Sequence, residues 1–376
     1  MKQVHWRYLL VAGILVVCAA TCGCTTSFFN PGPAAEYPVI GPYEDDGRIA
    51  TSSMEFPFQE RTVSISVNVS KSLYDAASGA DKNAVLLGEW KEDDDWTTGY
   101  YLSFTNSPEM EQVYSVTAKT LKEEASTVAE DSDQYLEYLT VYVQSLAYDV
   151  SPDAAGPKFP VETVIDTAGD CDDKSILLAG LLAREGFNVS LFYFPGDSHM
   201  AVGVAADEPG YRDSGYLFIE TTNLSLIGIP TKNFENGATL TADLFVIPVG
   251  NGTKEYGSAD ETRRIDRAAG VARARAEEEE AALILMEEDL DAMKRALDKE
   301  NSALLQLKDS GDISGYNAAV ADYNLHATEY NRALDDYRTC YDDYLSDVEF
   351  FNYVATHLYD RPGLSEKVAD WERGRA

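Results

Sequence analysis

Between residues 25 and 257 the chain holds one cysteine and one histidine, Cys171 and His199; the other histidines, His5, His326 and His357, lie outside that stretch. Any nucleophile–base pair built there from thiol and imidazole must be this one. A thiol becomes a useful nucleophile when a base takes its proton or its surroundings favour the thiolate. Residues 167–186, TAGDCDDKSILLAGLLAREG, supply one such setting. Ile176, Leu177, Leu178, Leu181 and Leu182 recur at helical spacing and predict a helix from about Asp170, with Cys171 in its first turn. Free N–H groups and the positive end of the helix dipole stabilise a thiolate there. Asp170, Asp172 and Asp173 suit a helix start, but their charge raises the pKa of a neighbouring thiol. A protonated His199 would act the other way, so the resting state of Cys171 stays open at the level of sequence.

His199 opens a β-like run, HMAVGVA (199–205), and Glu220 sits in the next one, GYLFIETT (215–222). On facing antiparallel strands two such side chains can meet. A carboxylate on the second ring nitrogen fixes the tautomer of an imidazole acting as base. Helix-start thiol, strand imidazole and neighbouring-strand carboxylate give a Cys171–His199–Glu220 triad in chain order. Each residue alone is commonly structural, a buried cysteine above all; their order and setting together carry the reading.

The elements that must hold these three follow from pattern. RTVSISVNVS (61–70) alternates and is β-branched, which predicts a strand, and TTGYYLSFT (97–105) is a second candidate. Residues 107–123 and 131–147 carry helical signals. After SPDAAGPKFP (151–160), a Pro/Gly-rich loop, and the Cys171 helix come further β runs at 188–194, 199–205, 215–222 and 240–249. Helices followed by strands predict α+β with a mostly antiparallel sheet.

From about residue 258 the composition changes. Leu283, Leu290, Leu297 and Leu304 stand seven apart, with Met286, Met293 and Leu307 in the complementary positions and Glu300 as the exception. After KDSGDISG the period resumes with Tyr316, Tyr323, Tyr330, Tyr337 and Tyr344, accompanied by Val320, Ala327, Leu334, Tyr341 and Val348. Heptads on both sides of a Gly-containing break predict an antiparallel coiled-coil hairpin with the tyrosines in its seam. Asn317, Asn324 and Asn331 are expected to border that seam, and Cys340 to pack in it rather than react.

The chain of 376 residues carries a net charge of −34, which repels nucleic acid and anionic lipid. Its start, MKQVHWRYLLVAGILVVCAATCGC, has a charged head, a short apolar run and a small-residue end. That is the pattern of an export signal, and an uncleaved N-terminal membrane anchor fits equally. Thr21-Cys22-Gly23-Cys24 loosely resembles a lipoprotein processing site, which would leave Cys24 acylated. Asn-x-Ser/Thr sites at Asn68, Asn188, Asn223 and Asn251 are compatible with export. With three of five cysteines in the leader, Cys171 and Cys340 make no disulfide framework. No CxxC, HExxH, P-loop or GxSxG occurs, so neither a metal nor an organic cofactor is expected.

The blocks GDCDDKSILLAGLL, HMAVGV and YLFIETT resemble the three blocks of the transglutaminase-like superfamily, whose core is papain-like. YLTVYVQSLAYDVSP and FPVETV, upstream, resemble the helix and loop that precede the cysteine block in microbial, surface-anchored members. The resemblance covers roughly residues 60–250. It implies Cys171 as nucleophile, His199 as base and Glu220 as third member, a position more often Asp in the family. It further implies acyl transfer: attack on an amide carbonyl and resolution of the thioester by water or a lysine amine, with the Cys171 N–H holding the oxyanion. Gln144 is a candidate second oxyanion donor.

The expected organisation is a signal peptide or anchor at 1–24, a spacer at 25–50, and a transglutaminase-like domain at 51–250 with its core at about 107–250. A helical hairpin at 258–360 and a tail at 361–376 follow. The expected function is cysteine-dependent acyl transfer on protein or peptide amides, hydrolysis rather than cross-linking, outside the cytoplasm. The alternative is an inactive scaffold at the cell surface whose hairpin recruits partners or self-associates.

Overall fold

The computed structural model describes residues 34–88, 96–150, 156–230 and 240–375. The expected leader at 1–24 and half of the SPDAAGPKFP loop lie outside the described residues, and the expected spacer is described only from Ala34. Within these limits the chain is mixed α+β, with small antiparallel sheets and a long C-terminal helical hairpin. Among the described residues no helix is long and apolar enough to cross a membrane.

Strand β1 (Ala34–Glu36) comes first, then the hairpin of β2 (Ile49–Phe58) and β3 (Arg61–Ser70), helix α1 (Lys71–Ser78) and β4 (Val85–Leu87), which pairs with β1. β3 follows its expectation: Val63, Ile65, Val67 and Val69 are buried while Ser64, Ser66 and Asn68 face water. The strand expected at 97–105 is instead a helix, α2 (Thr97–Thr105). Its buried residues, Tyr101, Phe104 and Thr105, fall at the i, i+3, i+4 positions of one helical face. β-propensity describes fit to a half-buried pleat, and packing on the Cys171 helix overrides it here.

Helices α3 (Met110–Ala125) and α4 (Ser132–Gln144) match the two expected ones, the second capped by Asp131, whose carboxylate accepts from Gln134 N at 2.8 Å. Next come β5 (Ala147–Tyr148), α5 (Pro160–Asp166) and β6 (Ala168–Gly169), the last pairing with β5 in parallel. Helix α6 (Cys171–Arg184) is central: Ile176 to Leu182 are wholly buried. Gly180 lets Tyr114 of α3 lie against it, because a Cβ there would stand 2.0 Å from the Tyr114 hydroxyl oxygen.

β7 (Asn188–Phe194), β8 (His199–Ala205), β9 (Tyr216–Ile219) and β10 (Phe245–Asn251) form one antiparallel sheet in the order β10-β7-β8-β9. Val189, Leu191, Met200, Val202, Val204 and Ile219 join the cluster that includes α6. Phe192, Phe194, Ala201 and Phe218 gather in a second cluster with Tyr211 and Tyr216. The period-two alternation of these strands thus separates two apolar layers.

The hairpin is formed by α7 (Ala259–Asp309) and α8 (Ile313–Thr356). At 1.5 Å per residue α7 is about 75 Å long. Gly311, at φ 74°, makes the turn, and Asp312 caps α8 by accepting from Gly315 N at 2.9 Å. The tyrosine line is half-buried along the seam, as expected; in the companion line Tyr341 departs from its neighbours at 43% exposed and stacks on Tyr337. Glu300, the exception in the line of Met286, Met293 and Leu307, faces His326 across the seam at 2.8 Å. The stretch 361–376, expected as a tail, contains a helix, α9 (Arg361–Arg373). Its Leu364 and Val368 pack with Ile265, Ala268, Ala272, Phe350 and Val354 at the base of the hairpin.

Candidate active site

The nucleophile turn is built by a reciprocal cap. Asp170 accepts from Asp173 N at 3.3 Å, and Asp173 Oδ2 accepts from Asp170 N at 3.2 Å. Gly169 permits this closure, since a Cβ on it would stand 2.6 Å from that of Asp173. Cys171 is the first residue of α6, where backbone N–H groups have no helical partner.

Its sulfur lies against the start of β8. Sγ is 3.9 Å from the Ser198 carbonyl oxygen, and the Met200 backbone N–H points at the sulfur from the other side of His199. Ser198 reaches this position with φ 51°, in the left-handed region that non-glycine residues rarely adopt. Strain of this kind persists where surrounding structure enforces it.

His199 and Glu220 meet as the strand reading expected. His199 Nε2 is 3.5 Å from Glu220 Oε2. The ring stacks on Phe194, its register partner in β7, with centroids 6.3 Å apart. Glu220 follows β9 directly and is 1% exposed. Its other oxygen accepts from the N–H groups of Thr221 and Thr222 at 3.0 Å and from the Thr222 hydroxyl at 2.7 Å. Burial pushes this carboxyl up, but His199 and the Thr222 donors outweigh it and hold it at about 2. Glu220 is therefore ionised at neutral pH.

Burial first, then the charges of Asp172 and Asp170, push Cys171 up to about 12, against the Met200 and Asp172 N–H groups. Burial outweighs the N–H groups at the helix start and favours the thiol over the thiolate. Burial and the neighbouring Asp170 also drive Asp172 up to about 9 and Asp173 to about 6. The three carboxylates lie within 4.8 Å of one another. Asp173 has its oxygens on the Lys158 and Asp170 N–H groups, at 2.5 and 3.2 Å, which makes it a cap and loop anchor.

Gln144 is close to the site but turned to other work. Its Nε2 donates to Glu220 O at 2.8 Å and Ser225 O at 3.1 Å, so both amide hydrogens hold backbone carbonyls and neither is left for an oxyanion.

Two neighbours were missed from sequence. Lys174, one turn after Cys171, is fully buried, and its Nζ donates to Gln144 O, Leu146 O and Thr222 O at 3.1, 2.9 and 3.4 Å. Burial lowers it to about 8 despite the nearby Glu220 charge. A lysine on the same helical face as Leu177 and Leu178 was the available signal. Tyr148, 55% exposed on β5, is raised to about 12 by partial burial first and then by the acidic groups around it, Asp170, Asp172 and Glu220 among them. Nothing in its local pattern marked it. No protein-family model, curated protein or solved structure matches the chain.

Proposed function

We propose that the chain is a cysteine-dependent acyl transferase acting on protein or peptide amides, with a papain-like, transglutaminase-like core and water as the usual acceptor. The observation that carries this reading is the convergence at the start of β8. A helix-start thiol lies against the backbone on both sides of His199, and the imidazole Nε2 is 3.5 Å from a buried, ionised Glu220.

In this reading Glu220 holds the ring through Nε2, which leaves Nδ1 as the base. As Cys171 Sγ bonds to the substrate carbonyl carbon, its proton passes to Nδ1 and the C=O pair moves onto oxygen beside the Cys171 N–H. Collapse breaks the C–N bond, and His199 returns the proton to the leaving amine. Water, deprotonated by His199, then cleaves the thioester and restores the thiol. Glu220 stays ionised and stabilises the imidazolium. A resting thiol pushed to about 12 demands a base at the moment of attack, which gives His199 its role. The segment 1–24 would deliver and tether the domain outside the cytoplasm, where surface proteins or peptides are the substrates.

The test is labelling of Cys171 by iodoacetamide, read by peptide mass spectrometry at pH 7. His199→Ala is expected to slow labelling at least tenfold, in keeping with the size of general-base effects. Unchanged labelling in a folded His199→Ala protein overturns the triad. The same acid-raised thiol favours the second reading, an inactive scaffold whose hairpin binds partners. Release of amine from surface-protein extracts by the wild type and not by Cys171→Ala decides against it.

A further inference from the structure

The buried amine of Lys174 has no part in the reaction steps above, yet it touches two segments that flank the site. Gln144 O and Leu146 O lie at the exit of α4, just before Tyr148; Thr222 O lies in the loop that carries Glu220. An ammonium has three hydrogens and no acceptor, which matches three carbonyls. A buried cation is expensive to retain and a Met of similar length would fill the same space, so core packing alone does not explain a lysine here. We propose that Lys174 is a positioning residue, fixing the offset between Cys171, on its own helix, and the loop that bears Glu220.

This inference rests on the acyl-transfer reading and deepens it. The clamp has two further fasteners. Ser175 Oγ and Thr221 Oγ1, both buried, are 3.0 Å apart, joining α6 to the residue next to Glu220. Gln144 closes the other side by donating to Glu220 O and accepting from Ser225 N at 3.4 Å. Three groups on two helices therefore grip the 220–225 segment through backbone or hydroxyl atoms. That grip leaves both Glu220 carboxylate oxygens to His199 and to the local N–H donors. Loss of the ammonium frees Thr222 O and the α4 exit together, and the carboxylate then no longer holds the ring in register with the sulfur.

The experiment is a double-mutant cycle on the full-length protein, reading iodoacetamide labelling at Cys171 in the wild type, His199→Ala, Lys174→Met and the double variant, each shown folded by thermal unfolding. A positioning role predicts that Lys174→Met slows labelling about tenfold and that His199→Ala then adds less than about twofold, because contributions of coupled residues are not additive. A merely structural lysine would lower the melting temperature and leave the full His199 effect in place. Lys174→Met labelling within about twofold of wild type, or an undiminished His199 effect in its background, overturns the inference alone. A silent His199→Ala in the wild type overturns the triad and this inference with it. Should Lys174→Met not fold, Thr221→Val, which keeps the volume and removes the hydroxyl facing Ser175, decides the matter. A slowing of about threefold with a reduced His199 effect supports the clamp, and wild-type behaviour overturns it.

Discussion

At the base of the hairpin, Arg361 Nε lies 2.5 Å from Glu137 while Arg361 also bonds Glu261, and the Tyr256 hydroxyl donates to Glu137 at 2.6 Å. Asp347, wholly buried nearby, receives Arg275 Nε at 3.0 Å, Trp371 Nε1 at 2.8 Å and Arg375. At the start of α6 the arrangement is reversed: Asp170, Asp172 and Asp173 crowd one another, and Lys174, a buried cation one turn on, faces carbonyls. Both regions remove charge from water. The base compensates it with guanidinium partners, although burial still pushes Glu137 up to about 7, whereas the helix start sets acid against acid and gives its lysine only carbonyls, so that Asp172 and Asp173 are driven upward and Lys174 downward. Shifted ionisable groups of this kind tend to gather at working sites, which is what makes the second region the one on which the acyl-transfer proposal rests.

The largest expected effect lies at the base. Arg361→Met removes the partner of a carboxylate that burial already pushes up to about 7. Breaking a buried pair by deleting one member costs about 3–5 kcal/mol. Urea unfolding of the full chain should show that loss, and adding Glu137→Leu should recover much of it. The folded fraction should label at Cys171 like wild type. A change in labelling would break the division between a structural base and a working site.

The next effect has the opposite sign. Asp172 is raised to about 9 from an ordinary 3.8 by burial and by Asp170. Its folded-state value exceeds its unfolded one, so its contribution is fully present below about pH 4 and is lost as pH rises toward 9. Asp172→Asn should therefore raise the melting temperature relative to wild type at pH 8 and make little difference at pH 4. Equal melting curves at pH 8 would show that the acids are not in tension.

What could be read from sequence follows the same division. Periodicity exposed the hairpin, whose burial is one-sided and repeats along the chain, while the cysteine helix and the central sheet strands, buried on both faces, were legible as apolar runs bounded by polar and turn residues. The 97–105 segment misled because its aromatic residues satisfy either period, and only the presence of α6 decides between them. Cys171, His199 and Glu220 were visible through rarity and strand order. The direction of the thiol shift was not, since dipole and carboxylates compete and only burial settles the balance. Gln144 and Lys174 act through backbone carbonyls far along the chain, at Glu220, Thr222 and Ser225, and carbonyls leave no mark in a sequence.

The smallest effect concerns the seam between α7 and α8. Glu300 Oε1 lies 2.8 Å from His326 Nδ1, with the two side chains 33% and 47% exposed. A pair this open is worth roughly 0–1 kcal/mol. Glu300 occupies the heptad line of Met286, Met293 and Leu307, so Glu300→Leu exchanges a weak polar pair for apolar burial beside them. Half-burying a leucine contributes about 1 kcal/mol, and the net expectation is a gain of about 0.5 kcal/mol in thermal unfolding. Seam polarity also restrains helices from choosing other partners. The Leu variant should remain a monomer in sedimentation if α7 and α8 satisfy each other within one chain. A shift to dimer would show that this pair, and not the turn at Gly311, keeps the hairpin closed on itself, and the contrast would then extend to a third region where charge is kept for specificity.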